Sequence, residues 1–483
     1  MNEQALVAKA WNYADVLRDE GLSYGDYLGQ ISFLLFLKMD EERTQLLGEP
    51  SALPEECRWR ALRALSGEAL AARYKKTLDD LSRREDLVGT LFLKAESKIN
   101  DPARLARLVG LIDEETWMGL DVDVKGTLYE GLLERNAGEV KSGAGQYFTP
   151  RPLIQAMVEL ADPKPEESVH DPACGTGGFL LAAYDHMRAS PRARDRTVAR
   201  RLREEKLSGT DIVPEVVRLC AMNLYLHGIG GDTSPVRQAD ALLARPTASY
   251  DVVLTNPPFG KRQSFRIVRD NGAIDTERQD YVRDDFTVTT GNKQLNFLQH
   301  IMSILAPGGR AAVVLPDNVL FEGGAGETLR RRLLKEFTLH TLLRLPTGIF
   351  YSQGVKANVL FFDRVRAGTR VATEELWVYD FRTNMNFTLR ERPLTRPDLD
   401  AFVAAFLPWG SWHKRTESER FRRFSYEELA ARDKLNLDIT WLKDASATDP
   451  ASLPPPAEVA AEIVENLELA LEKFRAVAEK LDT

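Results

Sequence analysis

The stretch Ser168-Val-His-Asp-Pro-Ala-Cys-Gly-Thr-Gly-Gly-Phe-Leu180 combines a short strand, a glycine-rich turn and the start of an apolar helix. The strand is predicted to end at Asp171, and the helix is predicted to begin near Phe179. Glycines in the turn let the backbone approach a ligand closely, and N–H groups at the start of the helix can bind polar ligand atoms. This order of elements favours an α/β fold with a ligand site at the end of the strand.

The glycine-rich turn differs from the loops that bind phosphates. Its glycines lack the Gly-x-Gly-x-x-Gly spacing of dinucleotide-binding proteins, and no Lys-Ser or Lys-Thr pair ends it. Asp171 stands directly before the turn, where its negative charge would attract an ammonium group and repel a pyrophosphate. We therefore expect a ligand that carries a positive charge.

Two more predicted strands end in acids. Leu207 to Ile212 contains Asp211 near its end, and Val236 to Ala239 is followed by Asp240. Open α/β sheets bind ligands at the carboxyl ends of their strands, and an acid after the second strand can accept from the ribose hydroxyls of an adenosine. Asp240 could accept from the adenine amino group. Taken singly, each acid is also typical of a solvated turn.

The stretch Asp251-Val-Val-Leu-Thr-Asn-Pro-Pro-Phe259 predicts a fourth buried strand that runs into a stiff loop. Consecutive prolines fix φ, remove two backbone donors and hold the preceding residue extended. The Asn256 side-chain oxygen and the Pro257 carbonyl can both accept from one amino group, and Phe259 can stack on the ring that carries it. The alternative is a strand-terminating turn, for which Asn-Pro is typical.

The segment Gln146-Tyr-Phe-Thr-Pro-Arg151 precedes an amphipathic helix that is predicted from Pro152 to Leu160. Thr149 is the expected N-cap, and Pro150 suits the first turn. The two aromatic residues either pack on a flat ligand or staple the helix, and taken alone they favour the staple.

Together these parts predict methyl transfer from S-adenosylmethionine to an aromatic amino group. The acids and the glycine turn would hold an adenosine attached to an amino acid, and the loop at Asn256 would hold the exocyclic amine beside it. The N6 lone pair of adenine is delocalised into the ring, so two acceptors on its N–H bonds would favour a pyramidal nitrogen. Positioning of this kind needs no strong base. Because the amino group is paired inside duplex DNA, the base must be flipped out, which suits stacking on Phe259.

In this order and spacing, the three motifs resemble the modification (methyltransferase) subunit of type I restriction–modification systems, a family of N6-adenine DNA methyltransferases. The resemblance includes the stretch Tyr24 to Met39 and covers the chain to about residue 364. It implies a Rossmann-like class I methyltransferase domain, with a mostly parallel seven-stranded sheet whose last strand is antiparallel. The implied catalytic residues are Asn256, Pro257, Pro258 and Phe259.

The motifs and the resemblance together also define an expected set of residues that bind S-adenosylmethionine. These residues are Gln146, Tyr147, Phe148, Thr149, Pro150, Arg151, Asp171, Gly175, Thr176, Gly177, Gly178, Asp211 and Asp240. Asp240 matches the family pattern more loosely than the others. No metal site is expected.

Membership of this family implies partners. They are duplex DNA, a specificity subunit that reads DNA and binds two copies of this chain, and a restriction subunit. The net charge of −8 agrees, because a protein that grips DNA unaided is more often basic. Three alternatives stay open: glutamine-amide methylation in proteins, for which Asn-Pro-Pro-aromatic loops also serve, a scaffold without activity, and a stand-alone or phage-defence adenine methyltransferase.

The chain divides by composition into five parts. Residues 1–137 carry helical patterns without a strand pattern, residues 138–364 hold the methyltransferase motifs, and residues 365–444 form an irregular accessory region. A linker at 445–456, rich in Pro, Ser and Ala, leads to a helix at 457–483 with coiled-coil spacing, which needs a partner helix or packs on the helical domain.

Composition and cysteine usage indicate a soluble protein of the cytoplasm. The 483 residues are 43% hydrophobic and 28% charged, as in ordinary globular proteins. Three cysteines, far apart, fit a reducing compartment and predict neither a disulfide framework nor a zinc site. No apolar run approaches the ~20 residues that span a bilayer, and no signal peptide is visible.

Overall fold

The computed structural model describes residues 13, 24–117, 149–259, 264–268, 274–278, 281–350, 355–365, 372–389 and 391–444. Three features of the sequence predictions lie outside these residues: the segment Gln146–Phe148, the linker 445–456 and the C-terminal helix 457–483.

The described residues 24–117 of the first part of the chain are mainly helical, as their sequence pattern predicts. Its helices are α1 (Tyr24–Leu47), α2 (Trp59–Arg63), α3 (Gly67–Ser82), α4 (Leu87–Leu91) and α5 (Pro102–Asp113). The start of α5 follows from local chemistry, since the Asp101 side chain accepts from the backbone N–H of Ala103 at 2.8 Å and proline takes the first helical position. Apolar faces of these helices form one buried cluster.

The remainder is built around one mixed sheet. Its strands are β1 (Val169–Asp171), β2 (Leu207–Asp211), β3 (Val236–Gln238), β4 (Tyr250–Thr255), β7 (Leu305–Pro316), β8 (Phe337–Arg344), β9 (Ala357–Arg364), β10 (Glu375–Asp380) and β11 (Phe421–Ser425). The order across the sheet is β11-β10-β8-β9-β7-β4-β1-β2-β3. Strands β3, β2, β1, β4 and β7 run parallel, whereas β9 is antiparallel to both β7 and β8.

The predicted sheet is therefore present from β3 to β8, and its last strand in sequence, β9, is the antiparallel one. The sheet also continues beyond the expected seven strands. Strand β10 pairs parallel with β8, and β11 pairs antiparallel with β10. Both come from the accessory region, whose sequence gave no strand prediction. Where the domains begin and end stays a prediction.

Helices connect the strands and pack against the sheet. They are α6 (Arg151–Ala161), α7 (Gly178–Arg188), α8 (Arg196–Glu205), α9 (Pro214–Leu226), α10 (Lys293–Ile304), α11 (Asn318–Phe321), α12 (Ala325–Glu336), α13 (Asp400–Phe406) and α14 (Tyr426–Ala430). Helix α9 is buried on every side: Val217 and Leu224 belong to the core of the sheet, while Leu219 and Met222 belong to the helical cluster. This helix therefore joins the two cores.

The polar stretch between β4 and α10 contains a hairpin that its sequence did not predict. Strands β5 (Ser264–Val268) and β6 (Ile274–Arg278) pair antiparallel in a separate two-stranded sheet. Among the helices that the structure describes, none is long and apolar enough to cross a membrane.

Candidate active site

The predicted ligand residues follow four neighbouring parallel strands. Asp171 ends β1, Asp211 ends β2, Asp240 follows β3, and Asn256 follows β4. Because these strands are neighbours in the order β3-β2-β1-β4 and run parallel, their carboxyl-terminal ends lie side by side at one end of the sheet. Binding sites of open α/β sheets lie at this edge, so the fold alone brings the four side chains to the same face of the molecule.

The glycine turn between β1 and α7 is tightly enclosed. Gly175 and Gly177 have φ values of +53° and +86°, which side chains rarely adopt. A Cβ on Gly177 would also lie 2.8 Å from the sulfur of Cys220 on α9. Asn223, on the same helix, donates to the carbonyl of Thr176 at 3.0 Å. Glycine is therefore favoured at Gly175 by conformation alone, and at Gly177 by conformation and by space.

Asp171 is a buried carboxyl group with a strongly altered acidity. Its side chain is 1% exposed and accepts from the backbone N–H of Ala173 at 3.0 Å. Burial raises the pKa of Asp171 to about 7, and the negative charge of Asp211 adds to the effect. A cation placed beside this group would lower its pKa again, since an opposite charge stabilises the ionised form.

Asp211 is held by backbone donors on both of its oxygens. Gly175 donates to Oδ2 at 3.2 Å and Val213 donates to Oδ1 at 3.0 Å. Burial nevertheless raises the pKa of this carboxyl above its usual range. The bond to Gly175 joins the acid after β2 to the glycine turn after β1, so two predicted ligand segments are in direct contact.

Asp240 is held by one backbone donor and one side chain. The N–H of Leu242 donates to Oδ1 at 2.9 Å, and the Tyr281 hydroxyl donates to Oδ2 at 3.0 Å. Sequence reasoning missed Tyr281, because it stands in a polar stretch without a strand or helix pattern.

The loop Asn256-Pro257-Pro258-Phe259 follows β4, and its two prolines differ in solvent exposure. Pro257 is buried, and Pro258 is exposed. The ring of Phe259 packs edge-on against Phe350, with centroids 5.9 Å apart. Phe350, which sequence reasoning also missed, fixes the position of the aromatic face.

Thr149 contacts Asn256 and does not cap a helix. The Asn256 amide nitrogen donates to the Thr149 hydroxyl oxygen at 2.9 Å. Pro150 occupies the N-cap position of α6, and no side chain caps that helix. The expectation that Thr149 is an N-cap is therefore wrong, because its hydroxyl is used by Asn256. In this orientation the amide oxygen of Asn256 is directed away from Thr149.

Parallel strands with a glycine turn after the first, acids at the next two strand ends and a late antiparallel strand define a Rossmann-like methyltransferase. The methyltransferase subunit of a type I restriction–modification system from Streptococcus thermophilus has the same fold, with a TM-score of 0.68 and 20% identity over 90% of this chain and 99% of that one. The Asn-Pro-Pro-Phe loop at the same edge indicates an amino group as the acceptor.

Comparison with known proteins gives the family. The N-6 DNA Methylase model matches residues 120–449, and the HsdM N-terminal domain model matches residues 6–113. The StySPI methylase subunit of Salmonella potsdam is 39% identical over 100% of this chain and 96% of its own. The crystal structure of the EcoKI M protein, from Escherichia coli K12, is 34% identical over 99% of this chain and 96% of that chain, with a TM-score of 0.54.

The chain belongs to the N-6 DNA methylase family and is a methylase subunit of a type I restriction enzyme. It is an adenine-specific DNA methyltransferase. The resemblance drawn from the three motifs is thereby confirmed, and the alternative of a protein glutamine methyltransferase is not supported. The roles of individual site residues stay predictions.

Proposed function

We propose that the chain binds S-adenosylmethionine at the carboxyl edge of β1, β2 and β3 and methylates N6 of an adenine flipped out of duplex DNA. The observation that carries the proposal is the bond from the Asn256 amide to Thr149, which sets the amide oxygen to accept. Asn256 leaves β4, the strand next to β1 and its buried Asp171.

The residues at the strand ends fit this cofactor. Asp171 is a buried carboxyl whose pKa is raised by burial, so an ammonium group of the cofactor would stabilise its charge. Asp211 would accept from the ribose hydroxyls, and Asp240 would accept from the adenine amino group. Gly177, where a Cβ would clash with Cys220 of α9, lets the turn pack closely against that helix. Bound there, the cofactor supplies an electrophilic methyl group on a sulfonium.

The chain's contribution to the transfer is positioning. The Asn256 amide oxygen and the Pro257 carbonyl would each accept one N–H bond of the target amine, which favours a pyramidal nitrogen with its lone pair directed at the methyl carbon. Transfer would form the bond from nitrogen to the methyl carbon while the C–S bond breaks with its electron pair going to sulfur, and the proton lost from nitrogen would pass to solvent. Phe259, braced by Phe350, would stack on the flipped base.

We also propose that sequence recognition comes from a partner. The relatives are named as subunits of type I restriction enzymes, and the chain carries a net charge of −8. A specificity subunit with two copies of this chain would supply the DNA-reading surface, and a restriction subunit would join that complex. The chain alone should show little sequence-specific affinity for DNA.

The decisive experiment maps modified bases in genomic DNA from cells with and without the gene, with mass spectrometry to identify the product. We expect N6-methyladenine at one recognition sequence, lost in cells that lack either this chain or its specificity partner. Methylation that persists without any partner would favour a stand-alone enzyme. Tight binding of the purified chain to one DNA sequence would contradict the partner proposal.

A further inference from the structure

The side chain of Tyr281 lies where two loops of the candidate site and helix α10 meet. It is 7% exposed and forms a small buried cluster with Leu242 and Phe297. Ala173, from the turn after β1, packs on the same cluster. The hydroxyl leaves this apolar setting to donate to Asp240 at 3.0 Å. Burial and the nearby carboxylate raise the pKa of Tyr281 to about 12, so the phenol keeps its proton at neutral pH.

The segment that begins with Tyr281 is held by hydrogen bonds to two neighbouring elements, helix α10 and the loop after β3. Arg283 donates to the carbonyl of Ala241 at 3.3 Å, contacts a ring nitrogen of His300 at 3.0 Å and pairs with Asp285 at 2.6 Å. Further along, the Gln299 side chain accepts from two backbone N–H groups of the segment, at 2.7 and 3.0 Å. These contacts hold the segment against α10 and against the loop after β3 independently of the Tyr281 hydroxyl.

We propose that Tyr281 is a positioning residue for the cofactor adenine, which it serves by fixing the Asp240 carboxylate in the orientation that accepts from the adenine amino group. The inference rests on the proposed function, in which Asp240 is the adenine acceptor. It adds a residue from outside the three motifs and gives the segment after the β5–β6 hairpin a part in cofactor selection.

The geometry of the carboxylate supports this role. Each carboxylate oxygen has room for about two donors, so the bonds from Leu242 and Tyr281 occupy one position on each oxygen and leave others for a ligand. Two fixed donors prevent rotation of the group, which would otherwise have to be stopped when the cofactor binds. Lys293, at the start of α10, also interacts with Asp240, and burial lowers the pKa of Lys293.

The position of Tyr281 along the chain also connects the two halves of the site. Phe259, the proposed base-stacking residue, precedes the hairpin, and Tyr281 follows it. The connection between β4 and α10 therefore begins at Phe259, beside the proposed target base. Its later residue Tyr281 donates to Asp240, the proposed acceptor of the cofactor adenine.

The test measures binding of S-adenosylhomocysteine and of its 6-keto analogue, S-inosylhomocysteine, to the full-length chain by calorimetry. The analogue lacks the amino group that donates to Asp240. In the unaltered protein we expect the adenosine compound to bind about tenfold more tightly, since a hydrogen bond to a charged group is at stake. Tyr281→Phe keeps the ring and removes the hydroxyl, and it should reduce that preference to roughly twofold or less.

Two further variants separate positioning from a general loss of stability. Tyr225→Phe removes a similar phenol–carboxylate bond, from α9 to Asp40 of α1 at 2.8 Å, and it should leave the preference unchanged. Asp240→Asn should abolish the preference, and adding Tyr281→Phe to it should cause no further change.

An undiminished preference in Tyr281→Phe would overturn the inference and leave the proposed function intact. Equal binding of both compounds by the unaltered protein would overturn both the inference and the adenine role of Asp240, and no binding of either compound would overturn the proposed cofactor.

Discussion

The two halves of the candidate site use different chemistry at the same edge of one sheet. After β1, β2 and β3 the chain presents carboxyl groups, and two of them, Asp171 and Asp211, have pKa values that burial raises. After β4 it presents an amide and two prolines, whose acceptor oxygens carry no formal charge. The first half suits a cationic ligand, while the second suits a neutral amine that must keep its lone pair.

The hydrogen bonds that hold the functional side chains also differ between the two halves. Asp211 accepts hydrogen bonds from two backbone N–H groups. Asn256 is instead held by one side chain, the hydroxyl of Thr149. A carboxylate attracts a cation from many directions, but an amide oxygen must be aimed at one N–H bond. We therefore expect substitutions in the first half to change cofactor affinity, and substitutions in the second half to change the rate of transfer.

The largest effect should come from Asn256→Ala. The substitution removes one of two acceptors in the transition state, and the rate of DNA methylation should fall by ~10²–10³-fold, as when one preorganised polar group is lost from other active sites. Affinity for S-adenosylhomocysteine, measured by calorimetry, should stay within about twofold. If the variant kept its fold but no longer bound the cofactor product, the division between the two halves would be wrong.

Asp211→Ala should have the opposite pattern. Loss of charge-assisted bonds to the ribose should weaken cofactor binding by roughly 10–100-fold, while the rate at saturating cofactor changes little. The matched control is Asp195→Ala, because Asp195 also accepts from two backbone N–H groups, those of Thr197 and Val198, but lies at the start of α8. That control should lose about 1 kcal/mol of stability and keep its cofactor affinity. A rate defect in Asp211→Ala without an affinity defect would contradict its assigned role.

The positions of the acids and of the glycine turn were accessible to sequence reasoning because adjacent residues in the chain mark each strand end and the turn. Asp171 ends a strand and precedes glycines, and the structure shows the strand, the turn and the helix start within a residue or two of the predicted positions. The mostly parallel sheet of seven strands and the antiparallel direction of its last strand followed from the family resemblance, and strands β1 to β4 and β7 to β9 confirm both.

Contacts between distant segments could not be predicted from local pattern. Thr149 and Asn256 are 107 positions apart in sequence, and Asp240 and Tyr281 are 41 positions apart. No periodicity in either intervening segment would reveal the pair. Strand β10 is another case, because its six residues read like an irregular segment and become a strand only by pairing with β8. Tertiary context decides such short strands more than their own propensity does.

Substitution of Thr149 sharpens the comparison, since it tests the support of Asn256 without touching the reacting groups. Thr149→Val keeps the shape of the side chain and removes the oxygen that accepts from the Asn256 amide, so the amide can rotate. We expect the methylation rate to fall about tenfold, the value of one ordinary hydrogen bond, with cofactor affinity preserved. Thr149→Ser retains the hydroxyl and should keep most of the activity, and equal loss in both variants would show that the methyl group matters more than the bond.

The smallest effect concerns pH and the charged half of the site. Because the pKa of Asp171 is raised to about 7, this group favours the folded state most at low pH, below its unfolded value, and that contribution is lost as pH rises through 7. Cofactor binding has the opposite sign, since an ammonium group beside Asp171 requires the ionised carboxylate. Affinity for S-adenosylmethionine should therefore rise roughly fivefold between pH 6 and pH 7, and calorimetry in buffers of different ionisation enthalpy should detect proton release on binding. Asp171→Asn should bind more weakly at pH 7 and lose this dependence, whereas an unchanged dependence would place the titrating group elsewhere and leave Asp171 as a structural residue of the turn.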